Sequence, residues 1–487
     1  MMEQDLSYRE ILPLNASEEK KKAALIDAIE GLRVRDPLLS ASIAFTRGQK
    51  VAFIAVVVGF ILMLIFARQA ALIGLSATCT FMYLITLLDR FIMFSRGIRA
   101  ESIIQVSDED ALAFPEDKLK TYTVLVPAYG EPEVIAQLLA SMHAFDYPKH
   151  LLQVLLMLEE DDLPTIAAAE AAGVDQVATI IKVPPAQPRT KPKACNYGLH
   201  FATGEIVTIF DAEDMPDPLQ LRRVVVAFER SASNTVCVQS RLSYRNARQN
   251  LLTAWFTIEY DVWFNFLLPG VMRMNAPVPL GGTSNHLLTG VLKDLGAWDP
   301  FNVTENADLG VPIAAKGYST AVLDSVTWEE ANSDTINWLR QRSRWYKGYL
   351  QTWLVYMRRP KWLVQELGII PAVRFTFLMA GTPIIAVLNL LFWYLSLTWI
   401  LGQPGTIEQM FPPAVYYPAL VCLVVANAAT IFMNLIGCRE GRDPLLLIAV
   451  LTFPLYWLLM SIAALKGTWQ LITRPSYWEK TAHGLEA

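Results

Sequence analysis

Residues 51–67 form an unbroken run of 17 apolar residues, and residues 70–88 add 19 more whose only polar members are serine and threonine. As helices, both runs are long enough to cross the hydrocarbon core of a bilayer, so they read as a transmembrane hairpin. A charged stretch precedes them (Glu18 to Lys22, Arg33, Arg35), which argues against a cleavable leader. Composition agrees, since 53% hydrophobic against 18% charged residues is too apolar for a soluble chain. Arg47 and Lys50 precede the hairpin and Arg90, Arg96 and Arg99 follow it, with Arg68 alone between the two runs. That bias predicts a cytoplasmic N-terminus and middle region, and a multi-pass protein of the cell membrane.

From about 101 to 360 the composition becomes that of a soluble α/β domain, with short apolar runs alternating with helical patterns. Strands are expected at 121–126, 153–158, 176–183, 205–210 and 235–239, and helices at 133–144 and 219–230. A doubly wound sheet places ligands beyond the carboxyl ends of its strands, so chemistry is expected just after each one. Past residue 360 the chain turns apolar again. Pro371 and Arg374 fit a full span poorly, so 370–381 reads as an interfacial helix, followed by crossings at 382–401, 415–436 and 445–465. Two helices before the domain and three after put the tail outside, whereas Lys466, Arg474 and Lys480 favour the inside. A break at Pro454, making the last segment re-entrant or interfacial, would reconcile the two. The expected organisation is a cytoplasmic segment (1–48), two spans (49–92), the α/β domain (101–360), an interfacial helix with the later spans (361–465) and a polar tail (466–487).

A net charge of −5 without a concentrated basic face excludes nucleic acid as the expected partner. The five cysteines (Cys79, Cys195, Cys237, Cys422, Cys438) lack metal spacing and support neither zinc nor a disulfide framework.

The first strand ends in VPAYGEPE (126–133) and the second in LEEDD (158–162), both placing carboxylates at one sheet edge. The fourth runs into DAEDMPDP (211–218), where Asp211 and Glu213 are spaced to reach one hard divalent cation, leaving its other sites for phosphate oxygens and water. Mg²⁺ or Mn²⁺ is implied, because no histidine or cysteine accompanies the carboxylates. In TKPKACN (190–196), Lys191 and Lys193 are candidates to pair with the same phosphates. GGTSNH (281–286), VTENADLG (303–310) and QRSRW (341–345) follow.

In order and spacing these pieces resemble the membrane-bound processive family-2 glycosyltransferases, the group of cellulose, hyaluronan and chitin-oligosaccharide synthases. The resemblance runs from about Tyr122 to Met357 and implies a GT-A-type α/β domain inserted between transmembrane helices. It implies that Pro127, Tyr129, Glu131, Glu159 and Glu160 hold the base and ribose of a UDP-sugar, with Lys193 near the diphosphate. Asp211 and Glu213 take the place of the family's metal-binding pair, in which the second residue is usually Asp; Asp214 is a possible substitute. Gly282, Thr283 and Ser284 would lie close to the donor or acceptor sugar. Gln341 and Arg344 would face the diphosphate and acceptor, and Trp345 would offer a flat ring to the terminal sugar.

The chain departs from the family at one place. Thr304 and Glu305 match its TED triplet, but position 306 is Asn, where the family has the aspartate that takes the acceptor proton. An amide accepts no proton near neutral pH, and Asp308 lies about 200° around a helix from that position. Two accounts stay open, a substitution introduced to trap substrate and a natural variant with impaired turnover, of which the first is preferred. The chain as written is then expected to be almost inactive and Asn306→Asp to be active. The implied reaction is a single displacement that gives a β-linked glycan, with Trp393, Trp399 and Trp457 as candidate sugar-stacking steps on an export path. Competing readings are transfer of one sugar to a lipid phosphate carrier, and binding of a nucleotide sugar without chemistry. The tail, PSYWEKTAHG (475–484), resembles the gating segments of the family, with Trp478, Lys480 and Thr481 as candidate contacts to bound nucleotide. The oligomeric state is not encoded in any feature of the sequence.

Overall fold

The computed structural model describes residues 11–402, 405–438, 444–475 and 477–479. Its centre is an eight-stranded sheet in the order β3-β2-β1-β4-β7-β6-β8-β5. The strands are β1 (Tyr122–Ala128), β2 (Leu152–Glu159), β3 (Thr179–Val183), β4 (Ile206–Ile209), β5 (Met215–Pro216), β6 (Thr235–Tyr244), β7 (Asn285–Leu288) and β8 (Ser319–Glu329). β1 to β4 are parallel, as apolar runs alternating with helices predict, while β7 runs antiparallel to both β4 and β6. Apolar cores lie on both faces, with Leu125, Leu155 and Val207 in one and Val124, Leu156 and Ile206 in the other. Such two-sided burial is why these strands read as continuous apolar runs rather than alternating ones.

Three expectations about local structure change. The 176–183 strand is shorter, starting at Thr179 after a tight turn opened by Gly173 at φ 74°. β7 was not foreseen, because Asn285 and His286 look like loop residues. His286 is nevertheless fully buried, its Nδ1 2.5 Å from the Tyr122 hydroxyl, and burial holds its pKa down at about 3, so it sits in the sheet as a neutral ring. β8 was likewise unread.

Among the described residues, five helices are long and apolar enough to cross a membrane: Arg47–Phe66, Arg68–Gly97, Ile369–Gly402, Pro413–Gly437 and Leu445–Thr473. The expected separate interfacial helix at 370–381 is not there; the chain runs helically from Ile369 to Gly402, with a π-helical stretch at Phe377–Gly381. Pro371 falls in the first turn, where no backbone bond is lost, and Arg374 is paired with Asp89 of the second helix at 2.9 Å. The expected break at Pro454 is also absent. That helix is clamped to the domain on both sides of the proline, by Trp255 Nε1 donating to Ala449 O at 3.0 Å and Arg342 to Tyr456 Oη at 3.0 Å. Gly467 then touches the domain so closely that a Cβ would lie 2.6 Å from Ser343 O. The helix therefore runs along the domain, and its tail emerges on the domain's side.

The stretch before the hairpin is part of the domain. Helix Glu18–Arg35 packs on helix Lys191–Leu199, where Asn196 Nδ2 donates to Ala28 O at 3.1 Å. Further on, Ala41 N–H donates to Asp299 Oδ2 at 2.5 Å.

Candidate functional site

The carboxyl ends of β1, β2 and β4 open onto a cavity of about 680 Å³. After β1, the Tyr129 hydroxyl accepts from Arg189 Nη1 at 2.8 Å, and the same guanidinium lies 5.0 Å above the Tyr129 ring. The acidic run after β2 divides its work. Glu159 is buried against Lys193 at 2.6 Å, Asp161 binds Arg189 at 2.6 Å, and Asp162 accepts from Gly130 N–H at 2.5 Å while capping helix Leu163–Ala171. Burial raises the Glu159 carboxyl and lowers the Lys193 ammonium, so each needs the other to stay charged.

After β4, Asp214 turns inward, its Oδ2 accepting from Asp211 N–H at 2.8 Å and from the Thr283 hydroxyl at 2.5 Å. Burial, then the Asp211 charge, pushes its pKa well up. Asp211 and Glu213 remain on the cavity, and Asp211 Oδ1 meets Lys191 Nζ at 2.5 Å. Among the described residues no group of three His, Cys, Asp or Glu side chains would hold a metal by itself. Two carboxylates completed by diphosphate oxygens and water nonetheless suit Mg²⁺ or Mn²⁺, which keep several non-protein ligands.

Opposite this turn, helix Glu305–Ala315 begins at the triplet. Asn306 Oδ1 accepts from Trp298 Nε1 at 2.9 Å, while its Nδ2 donates to Gly282 O at 3.0 Å and to Glu305 Oε1 at 3.1 Å. Lys191 Nζ also donates to Gly282 O, at 2.7 Å, so the metal turn and the triplet share one hydrogen-bond network. Burial raises the Glu305 carboxyl against the pull of Lys191.

The QRSRW motif lies on helix Thr335–Tyr356. Gln341 Oε1 accepts from Asn332 Nδ2 at 2.8 Å, and Trp345 is stacked on Tyr260 at 27° with centroids 6.0 Å apart. Arg342 binds Glu259 and lies 4.7 Å from the Trp345 ring. Arg344 points to the tail instead, lying 4.7 Å from the Trp478 ring and donating to Glu479 O at 3.2 Å.

The cavity thus gathers Pro127, Tyr129, Glu131, Glu159, Asp211, Glu213, Gly282, Glu305, Asn306, Gln341, Arg344, Trp345 and Trp478. It does not gather Glu160, which is exposed, nor Lys193, Asp214, Thr283 and Ser284, which are buried behind the wall. Lys480 and Thr481 lie outside the described residues. Lys191, rather than Lys193, reaches the cavity, because the two point to different sides of one helix start. Arg189, Glu259 and Glu329 also line it and were not singled out from sequence; Arg189 directly before TKPK was the available signal. The cavity continues between the apolar helices, past Thr86, Asn389, Asn427, Thr430 and Asn434. Of the three candidate stacking tryptophans, Trp457 lines it and Trp393 and Trp399 do not.

Carboxylates and cations thus gather at the ends of parallel strands, facing a helix that carries QRSRW. Residues 120–348 match the model of the family described as glycosyltransferase like family 2. The chain is similar to the probable glycosyltransferase YdaM of Bacillus subtilis, 26% identical over 235 residues, 47% of this chain and 56% of that protein. It is also similar to a beta-monoglucosyldiacylglycerol synthase of Trichormus variabilis, 26% identical over 268 residues, 53% of this chain and 55% of that one. The chain spans about half the length of the curated relatives it matches. Among solved structures, the mannosyltransferase PcManGT of Pyrobaculum calidifontis, in complex with GDP-Man and Mn²⁺, aligns at TM-score 0.49 and 18% identity over 82% of this chain and 99% of that one.

Proposed function

We propose that the protein is a membrane glycosyltransferase that moves a sugar from a nucleoside diphosphate donor, with inversion, onto the hydroxyl end of a growing glycan, and helps pass that glycan through the membrane. The observation that carries the reading is the continuity of the cavity. It joins the Asp211 turn to a chamber between apolar helices lined by Asn389, Asn427, Thr430 and Asn434. Asn427 and Thr430 donate to carbonyls of their own helix, and their remaining polar capacity, with that of Asn389 and Asn434, suits sugar hydroxyls. Trp345, on the cavity wall, supplies the flat face that the C–H side of a pyranose prefers. In this reading the domain and tail are cytoplasmic, and Asp211 and Glu213 hold a Mg²⁺ or Mn²⁺ ion, which neutralises the departing diphosphate when bound. Tyr129 and Arg189 border the base, and Lys191 and Arg344 meet the phosphates.

A second reading, transfer of one sugar to a membrane lipid, is favoured by the name of the Trichormus variabilis relative. One experiment separates the two. Membranes containing the chain, and its Asn306→Asp form, are supplied with a panel of radiolabelled UDP- and GDP-sugars and Mn²⁺. Label in polymer supports the glycan reading, label in an organic-soluble product supports the lipid reading, and label in neither with both forms sinks the transferase proposal.

A further inference from the structure

Position 306 is built for an amide. Two of its neighbours have fixed roles: the Trp298 indole N–H only donates, and the Gly282 carbonyl only accepts. Asn306 meets both in the one orientation that works, oxygen toward Trp298 at 2.9 Å and nitrogen toward Gly282 O at 3.0 Å; a flip would face donor to donor and acceptor to acceptor. The second amide proton goes to Glu305 Oε1 at 3.1 Å. A carboxylate at 306 would instead set its second oxygen against the Gly282 carbonyl and the Glu305 carboxylate, two acceptors facing a third. Trp298 is itself fully buried and held by Asn196, whose Oδ1 accepts its backbone N–H at 3.2 Å, so the frame cannot easily turn to suit an aspartate.

We infer that Asn306 is a native positioning residue and that Glu305 is the general base of this chain. The inference rests on the transferase reading above. Glu305 lines the cavity at the start of its helix, and the Asn306 amide fixes one of its oxygens. Two of the other cavity carboxylates are engaged, Asp211 by Lys191, and Glu259 by Arg342 and Tyr456. In the step, the acceptor O–H bond breaks and its proton passes to a Glu305 oxygen. The acceptor oxygen bonds to the anomeric carbon as the bond from that carbon to the diphosphate breaks, and the nucleoside diphosphate leaves with the electron pair.

The test compares the full-length chain with Glu305→Gln and Asn306→Asp in membranes, using the donor that labels product and Mn²⁺, with UDP or GDP binding measured in parallel. The expected result is that the chain as written turns over, that Glu305→Gln lowers kcat by about 10²- to 10⁴-fold with nucleotide affinity kept, and that Asn306→Asp lowers it by roughly tenfold. The rate of the unaltered chain should climb with pH as Glu305 loses its proton, and this limb should vanish in Glu305→Gln. A rise in kcat in Asn306→Asp over an inactive parent overturns the inference and leaves the transferase reading standing. So does a Glu305→Gln form within threefold of the parent, which would shift attention to Glu329. No transfer by any form, with nucleotide still bound, overturns the transferase reading and this inference together.

Discussion

The two sides of the cavity are built differently. One side, which would face the donor in the proposed reaction, is assembled from turns that directly follow β1, β2 and β4: Asp162 ties the β2 turn to Gly130 of the β1 turn, and Asp214 grips Asp211 N–H within the β4 turn. The other side, which would face the acceptor, is assembled from distant pieces. Glu305 is set by Asn306, Asn306 by Trp298, and Trp298 by Asn196, which also ties down Ala28. Across the helix QRSRW lies a tail more than 130 residues further on, with Arg344 against Glu479 (|i−j| = 135). The first side thus rests largely on neighbouring turns, whereas the second depends on contacts that no single segment controls.

This contrast gives ordered expectations. Asp211→Ala should have the largest effect, lowering transfer about 10³-fold and abolishing its dependence on Mn²⁺, because both the cation ligand and the Lys191 partner are lost. An unchanged metal titration would show that the donor side is not organised by this turn. Trp298→Phe keeps an aromatic ring, smaller than the indole, but removes the donor to Asn306 Oδ1. It should cost about tenfold in kcat, near the worth of one buried hydrogen bond, with the donor KM unmoved. A shift in donor KM instead would mean that the two sides are not separable. Trp478→Ala should have the smallest effect, roughly threefold in the donor KM, since it removes one cation–π contact to Arg344 and the share of the cavity wall that the indole covers. A loss comparable to that of Asp211→Ala would place the tail inside the chemistry.

The same contrast explains what could be read beforehand. Asp211, Glu213 and Tyr129 announced themselves because a strand followed by a turn is local in sequence, and its end faces the ligand edge by topology. The resemblance assigns Lys193 to the diphosphate, but it and Lys191 sit two apart at one helix start and only packing decides that Lys193 is buried on Glu159 while Lys191 lines the cavity. Trp298 gave no signal: an isolated tryptophan near a helix looks like core until its N–H is seen to reach Asn306. Arg374 looked foreign to a span because its partner, Asp89, is 285 residues away.

The sequence by itself determined that apolar helices flank an α/β domain, and which strand ends carry carboxylates, because hydrophobic periodicity and turn chemistry act over a few residues. Only the tertiary structure decided which cations face the cavity, why position 306 suits an amide, and that the last helix lies along the domain through Pro454. Each of these depends on partners brought together across more than a hundred residues or, as at Trp298 and Asn306, on the direction of one hydrogen bond, and residue order encodes neither.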